Sequence, residues 1–111
     1  MAGRRTELLK GTLDLLILRT LELGPRHGLL VADRIEQITR GTFVVKPGSL
    51  FPALHRLEQE GSVTGEWGVS PEGHRVRSYG LTAAGRRQLS RERKQWDRIV
   101  LAMRLVLDST S

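Results

Sequence analysis

Residues 46–61 contain the side chains that are best suited to bind another molecule, in the order KPGSLFPALHRLEQEG. Leu50, Leu54 and Leu57 recur at a helical spacing, so they form one apolar face. The opposite face holds small and hydrogen-bonding residues: Gly48, Ser49, Pro52, His55, Arg56 and Gln59. This composition differs from the Lys/Glu pattern of a face that only has to be soluble. The segment therefore predicts a short helix, over residues 47–60, that enters a groove of DNA.

The polar residues of this helix have specific expected roles. Phosphates supply most of the affinity of DNA-binding proteins, and base edges supply the discrimination. We expect His55 and Arg56 to contact base edges or nearby phosphates, with a solvated surface position as the alternative for each. The backbone N–H groups of Gly48 and Ser49 lie at the helix N-terminus, where an anion binds favourably. Lys46 precedes the helix and is placed to contact a phosphate.

A β-hairpin is expected after this helix. Residues 62–67 and 75–81 alternate between two faces, which predicts two strands, and the residues between them are rich in turn formers. Arg75 and Arg77 flank the Gly-rich tip, where a wing commonly contacts phosphate or the minor groove. Solvated charges are the alternative for both arginines. Trp67 is expected to pack under the wing.

The remaining segments predict the helices that position this unit. Their apolar periodicity predicts helices over residues 6–23, 27–39 and 82–108, the last of them capped by Thr82. The order is helix, helix, helix, strand, wing, strand, long helix. It predicts a mainly α fold with a small β-hairpin, namely a winged helix-turn-helix with a C-terminal dimerisation helix.

The first and last helices carry more apolar surface than one domain can cover, so we expect a second subunit. We divide the chain into a DNA-binding domain, residues 1–81, and a dimerisation helix, residues 82–111. The first helix has a second apolar stripe formed by Leu8, Leu15 and Leu18, and the end of the last helix is too apolar to stand alone in water. The residues expected at the dimer interface are Leu15, Leu18, Trp96, Ile99, Val100, Met103, Val106 and Leu107.

Trp96 has two alternative roles on the last helix. The first is packing against the partner subunit. The second makes Trp96 part of an effector pocket between the subunits, where a small aromatic or cationic ligand would bind against the ring.

The overall composition limits the classes of partner and of chemistry. The chain has 111 residues, of which 39% are hydrophobic, and a net charge of +6. The positive charge favours a polyanionic partner, either nucleic acid or an anionic membrane surface. The absence of Cys excludes disulfides and thiolate sites. Because the three histidines are scattered and no nucleotide-binding or nucleophile motif is present, we expect no enzymatic activity, cofactor or metal. No segment is long enough to span a membrane, so a cytoplasmic location is expected.

Four segments resemble the PadR-like family of transcriptional regulators. They are residues 8–18 (LLKGTLDLLIL), 27–28 (HG), 47–58 (PGSLFPALHRLE) and 81–86 (LTAAGR). The resemblance implies a homodimeric winged-helix repressor that binds inverted repeats in promoters. It assigns DNA recognition to Gly48, Ser49, Phe51, Pro52, His55 and Arg56, and the wing to residues 68–77.

The chain departs from the common pattern of this family at a few positions. Phe51 stands where Tyr is usual, so a hydroxyl that would reach phosphate is missing. Leu29 also stands where Tyr is usual, and Ser78 and Gly80 replace bulkier residues. These departures leave the expected fold unchanged.

Three functions compete at this point. The leading one is a dimeric repressor that binds a pseudo-palindromic operator and is relieved by a small effector. The alternative is a protein-interaction module that keeps the winged-helix scaffold without specific DNA recognition. A third, association with an anionic membrane, would use the cations in the first half of the last helix, which are Arg86, Arg87, Arg91, Arg93 and Lys94. Dimerisation explains the apolar second half of that helix better, so no membrane partner is expected.

Overall fold

The computed structural model describes residues 11–111, and in that part of the chain it contains four helices and a three-stranded antiparallel sheet. The elements in chain order are α1 (Thr12–Glu22), β1 (Arg26–His27), α2 (Gly28–Ile38), α3 (Pro47–Gln59), β2 (Val63–Val69), β3 (Arg75–Leu81) and α4 (Ala83–Leu107). This architecture confirms the expected winged helix-turn-helix with a long C-terminal helix. Residues 6–10 of the expected first helix, including Leu8, lie outside the described residues.

Helix α3 forms where its periodicity predicts it. Pro47 occupies the first turn, where a missing N–H has no cost, and Gly61 adopts a φ of 79° just beyond the end. Leu50, Leu54 and Leu57 are fully buried. Their burial fixes the rotation of α3 about its axis and directs its polar face to solvent.

Helix α1 lies at the centre of the domain, where it contacts α2, α3, α4 and β3. Its Leu18 is fully buried in the core of the same chain. The prediction that Leu18 faces a second subunit is therefore wrong, because its side chain packs inside the core of its own chain. Leu15 is only half-buried against this core.

The sheet contains a strand that the sequence pattern does not predict. Its order is β1-β3-β2, and the two residues of β1 pair with β3 through Arg26 opposite Tyr79 and His27 opposite Ser78. Two residues are too few to show a periodicity, so the helix predicted over residues 27–39 includes His27, which instead belongs to β1. Strand β1 connects the end of α1 to the base of the wing.

Helix α4 starts two residues after the end of β3 and extends beyond the core. As expected, Thr82 caps it, because the Thr82 hydroxyl accepts a hydrogen bond of 3.0 Å from the Gly85 amide. Gly85 and Leu89 are the buried residues of this helix, and every residue after Val100 is exposed. Within residues 11–111, no helix has the length and apolar character that crossing a bilayer requires.

Candidate nucleic-acid interface

The N-terminus of α3 presents an exposed, polar surface. Lys46, Gly48 and Ser49 are all exposed, and among the described residues no side chain caps the first turn. Because the first N–H groups of a helix point outward and carry partial positive charge, this end suits a phosphate.

Further along the polar face of α3, the predicted recognition residues differ in how much they also contact the rest of the protein. Pro52 and His55 are exposed, as the sequence predicts. Phe51 is 38% exposed, and its ring also packs on α2. A Cβ added at Gly28 would lie 2.8 Å from Phe51 Cε1, so the ring fills the space that this glycine leaves. Phe51 therefore helps to hold α2 against α3 as well as facing outward.

Arg56 has carboxylate partners within the protein. Its Nη2 donates a hydrogen bond of 2.7 Å to Oδ1 of Asp14 on α1, and its Nη1 lies 3.5 Å from Oε1 of Glu60. The hydrogen bond to Asp14 raises the pKa of Arg56 above its ordinary value. Asp14 is buried, whereas the Arg56 side chain stays 48% exposed. Contact between Arg56 and a base edge remains a prediction, and the structure adds that Arg56 connects α3 to α1.

Glu92 of α4 belongs to the same charged region. Partial burial raises the pKa of Glu92, and the nearby charge of Asp14 raises it further. A hydrogen bond from Gln88 and the charges of Arg91 and Arg56 act in the opposite direction. Charged groups of α1, α3 and α4 therefore influence one another.

The outer part of the wing differs from expectation at Trp67. Trp67 is 57% exposed rather than packed under the hairpin. The four residues of β2 from Glu66 to Val69 are all exposed. The guanidinium carbon of Arg75 lies 4.4 Å from the centre of the Trp67 ring, which is a cation–π contact. Arg75 and Trp67 thus form an exposed pair near the wing tip.

Arg77 occupies a more enclosed position than Arg75. Its Nη2 donates a hydrogen bond to Oε2 of Glu58 on α3, and both side chains are only 28% exposed. Arg77 also borders an open groove of about 520 Å³ between α3 and the wing. The groove is lined by His55, Glu58, Gln59, Trp67, Arg77 and Tyr79. The sequence pattern predicts equivalent roles for Arg75 and Arg77, whereas the structure gives them different surroundings.

The second half of α4 exposes the apolar residues that were expected at a dimer interface. The exposed fractions are 38% for Trp96, 44% for Ile99, 57% for Met103, and 75% each for Val106 and Leu107. Val100 is half-buried. Within the described residues, no cluster of His, Asp and Glu could hold a metal ion.

Several of these features were not found by the sequence analysis. The sequence-based prediction assigns no role to Asp14 or to Glu58. The one available signal was an acidic residue within a run that is otherwise apolar, because such a residue needs a partner when it is buried.

Comparisons with known proteins agree with this architecture. The sequence model of the PadR-like family of transcriptional regulators matches residues 17–91. The chain is 28% identical over 92 residues to an uncharacterised protein of Lysinibacillus sphaericus, covering 83% of this chain and 84% of that protein. It is 39% identical over 59 residues to the transcriptional regulator Rv3488 of Mycobacterium tuberculosis, covering 53% of this chain and 54% of that protein.

Solved structures show the same fold. A PadR family transcription regulator from Clostridium difficile superimposes with a TM-score of 0.76 at 28% identity, covering 87% of this chain and 99% of the other. A PadR-like regulator from Bacillus cereus gives a TM-score of 0.79 at 24% identity, covering 94% and 99%. Because the family model spans more than half of the chain, this protein belongs to the PadR-like family of transcriptional regulators, which are not enzymes.

Proposed function

We propose that this protein is a homodimeric repressor that binds an inverted-repeat operator sequence-specifically. One observation carries the DNA-binding part of this proposal: the polar face of α3 is exposed beside a wing whose Arg75 is also exposed. Membership of a family of transcriptional regulators supports it.

The side chains of this surface have distinct proposed roles. Helix α3 enters the major groove, with His55 facing base edges and Lys46 facing a phosphate. The Gly48 amide and the Ser49 hydroxyl bind a second phosphate at the helix N-terminus, because the Ser49 amide already donates a hydrogen bond of 3.0 Å to the Lys46 carbonyl. Arg75 reaches the backbone or the minor groove from the wing. Pro52, Phe51 and Arg56 complete the recognition face.

The dimer is proposed from the uncovered apolar residues of α4. An apolar helical surface of this size is unfavourable in water, and a second copy of α4 would cover it. Residues 82–111 then form the dimerisation helix, and residues 1–81 form the DNA-binding domain. Two α3 helices related by a two-fold axis would meet successive major grooves about 34 Å apart, so the operator would be pseudo-palindromic.

An effector site is proposed at Trp96, between the two copies of α4. A small aromatic or cationic ligand would bind against the exposed part of the ring and shift the separation of the two α3 helices. The chain has two tryptophans, so a Trp67→Phe variant isolates the fluorescence of Trp96. Quenching by planar aromatic cations should be saturable in this variant. Quenching that is linear in ligand concentration would contradict the pocket.

The DNA-binding function is tested by fluorescence anisotropy with the DNA upstream of its own gene and with a scrambled duplex, over a series of salt concentrations. We expect tight binding to the first duplex only, with a steep salt dependence. A Lys46→Gln variant should bind both duplexes more weakly and lower the salt slope by about one. Equal, weak binding of the unmodified protein to both duplexes would contradict specific recognition.

A reporter gene behind the bound sequence then tests repression, because its expression should rise when the regulator is deleted.

A further inference from the structure

We propose that Arg77 is a positioning residue that holds the wing against α3, and that it does not itself contact DNA. This inference rests on the proposed DNA-binding function, since the wing and α3 would engage one operator together. It assigns different roles to the two arginines of β3.

The first observation is the ion pair that joins two elements. Glu58 lies on α3 and Arg77 on β3, and the Arg77 guanidinium donates a hydrogen bond to the Glu58 carboxylate. Each side chain is 28% exposed. Partial burial reduces screening by solvent, so this contact is stronger than an ordinary surface ion pair.

The second observation is a pair of aromatic rings around the same guanidinium. Its carbon atom lies 5.3 Å from the centre of the Trp67 ring and 5.9 Å from the centre of the Tyr79 ring. Trp67 is directly opposite Arg77 in the antiparallel ladder, and Tyr79 follows two residues later on the same face. Tyr79 is buried. The two rings therefore restrict the guanidinium from the sheet side, while Glu58 holds it from the helix side.

The third observation is the space that Gly65 leaves free. Gly65 pairs with Tyr79, and a Cβ added at Gly65 would lie 2.5 Å from Nε of Arg77. The Arg77 side chain therefore crosses the sheet over Gly65 at a distance that a larger residue would not permit. The Arg77 guanidinium therefore lies between the Glu58 carboxylate and the Trp67 and Tyr79 rings, in the space that Gly65 leaves free.

Arg75 lacks this arrangement. It is exposed, and among the described residues it contacts the Trp67 ring but no carboxylate within 4.0 Å. Because Arg77 lies in the outer half of the hairpin ladder, two residues from Arg75, its contact with Glu58 fixes the position of Arg75 relative to α3. Losing this contact would let Arg75 and His55 move independently and would weaken operator binding without removing a phosphate contact.

A substitution at Glu58 separates positioning from simple electrostatics. Removing an acidic residue beside DNA should tighten binding if only net charge matters. We expect instead that Glu58→Gln and Arg77→Met each weaken operator binding about five- to tenfold. The double variant should bind about as weakly as either single variant, because both break the same contact.

The salt dependence provides the matched control. Arg75→Met should lower the salt slope of operator binding by about one, because a phosphate contact is lost, whereas Arg77→Met should leave the slope unchanged. Gly65→Ala displaces the Arg77 guanidinium without altering any charge and should resemble Arg77→Met. A lower slope for Arg77→Met, or tighter operator binding by Glu58→Gln, would overturn the proposal.

A measurement without DNA distinguishes failure of this inference from failure of the proposed function. The chain has no Cys, so spin labels can be attached specifically after Glu72→Cys at the wing tip and Glu36→Cys on α2, two exposed sites. Dilution with unlabelled protein removes distances between subunits. Arg77→Met should broaden the distance distribution and Arg75→Met should not. An unchanged distribution in Arg77→Met would overturn the positioning role, whether or not the protein binds an operator.

Discussion

Two ion pairs connect α3 to other elements of the fold. Arg56 of α3 donates a hydrogen bond to Asp14 of α1, and Glu58 of α3 accepts a hydrogen bond from Arg77 of β3. A single turn of α3, the helix that exposes the polar face, therefore also carries its ion pairs to α1 and to β3. Such a helix can present a fixed set of contacts, because its position does not depend on apolar packing alone.

The Asp14–Arg56 pair should contribute to stability. Arg56→Ala leaves the Asp14 carboxylate buried without its hydrogen-bond donor, and a buried charged group without a partner is unfavourable. Because Arg56 is 48% exposed and water can reach part of the site, we expect a modest loss of about 1–2 kcal/mol in the free energy of unfolding. Urea unfolding measures this loss. The variant Asp14→Asn/Arg56→Ala is the control and should recover part of it.

The same Arg56→Ala variant tests the predicted contact with a base. If Arg56 reads a base edge, operator affinity should fall by about 1–3 kcal/mol while binding to a scrambled duplex changes little. An equal loss on both duplexes would reassign Arg56 to a phosphate. Unchanged affinity on both would leave Arg56 with the structural role alone.

Glu92 predicts a specific pH dependence of stability. Its pKa in the folded protein is raised, so the ionised carboxylate is less favourable there than in the unfolded chain. The stability that this group contributes is fully present below its ordinary pKa of 4.5 and is lost as the pH rises through the folded value. Glu92→Gln should therefore melt at a higher temperature than the unmodified protein at pH 7. The two melting temperatures should converge as the pH falls below 4.5, and a constant difference at all pH values would contradict this explanation.

At the scale of secondary-structure elements, the junction between the wing and α4 is tightly packed. The Ser62 carbonyl accepts hydrogen bonds from the Thr82 amide at 3.2 Å and from the Thr82 hydroxyl at 2.9 Å. A Cβ added at Gly85 would lie only 2.0 Å from this carbonyl oxygen. The direction of α4 relative to the sheet is therefore set by contacts with the backbone of residue 62, which directly precedes β2.

Gly85→Ala should consequently destabilise the protein. The backbone of residue 62 cannot move aside without loss of the cap, so we expect the free energy of unfolding to fall by about 1–3 kcal/mol. Gly48→Ala is the matched control, because it also changes a glycine near a helix N-terminus but has no atom within 4 Å of the added Cβ. Denaturant unfolding of the two variants measures the difference, and equal stability would show that the junction is less rigid than described.

The elements were predictable from the sequence to the extent that periodicity and end signals define them. The buried leucines of α3, the Thr82 cap and the bounds of β3 all agree with the sequence pattern. Periodicity identifies which residues share a face but not which distant residue lies opposite. Arg56 finds its partner 42 residues earlier and Arg77 finds its partner 19 residues earlier. No local signal identifies the partner of either arginine or the short strand β1.

At the scale of the whole molecule, the uneven distribution of buried residues separates two parts. The apolar core takes residues from α1 to the start of α4, and Leu89 is the last of them. Beyond Leu89, α4 continues for eighteen residues to Leu107, and its apolar side chains are uncovered in a single copy. The last core residue and the uncovered apolar residues therefore lie on one helix.

Removal of residues 102–111 tests whether a second copy supplies that cover. The truncated chain keeps every residue of the described core, so the DNA-binding domain should remain folded by circular dichroism. It loses Met103, Val106 and Leu107, and with them most of the apolar surface that a partner helix would cover. We expect sedimentation to show a dimer for the full chain and a monomer for the truncated one. Removal of residues 108–111 is the control, because they follow the end of α4 and should leave the dimer intact. A truncated chain that still sediments as a dimer would place the interface elsewhere.

A monomeric truncated chain should bind a single half-site weakly and lose the advantage of the inverted repeat, because two linked α3 helices bind together more tightly than either alone.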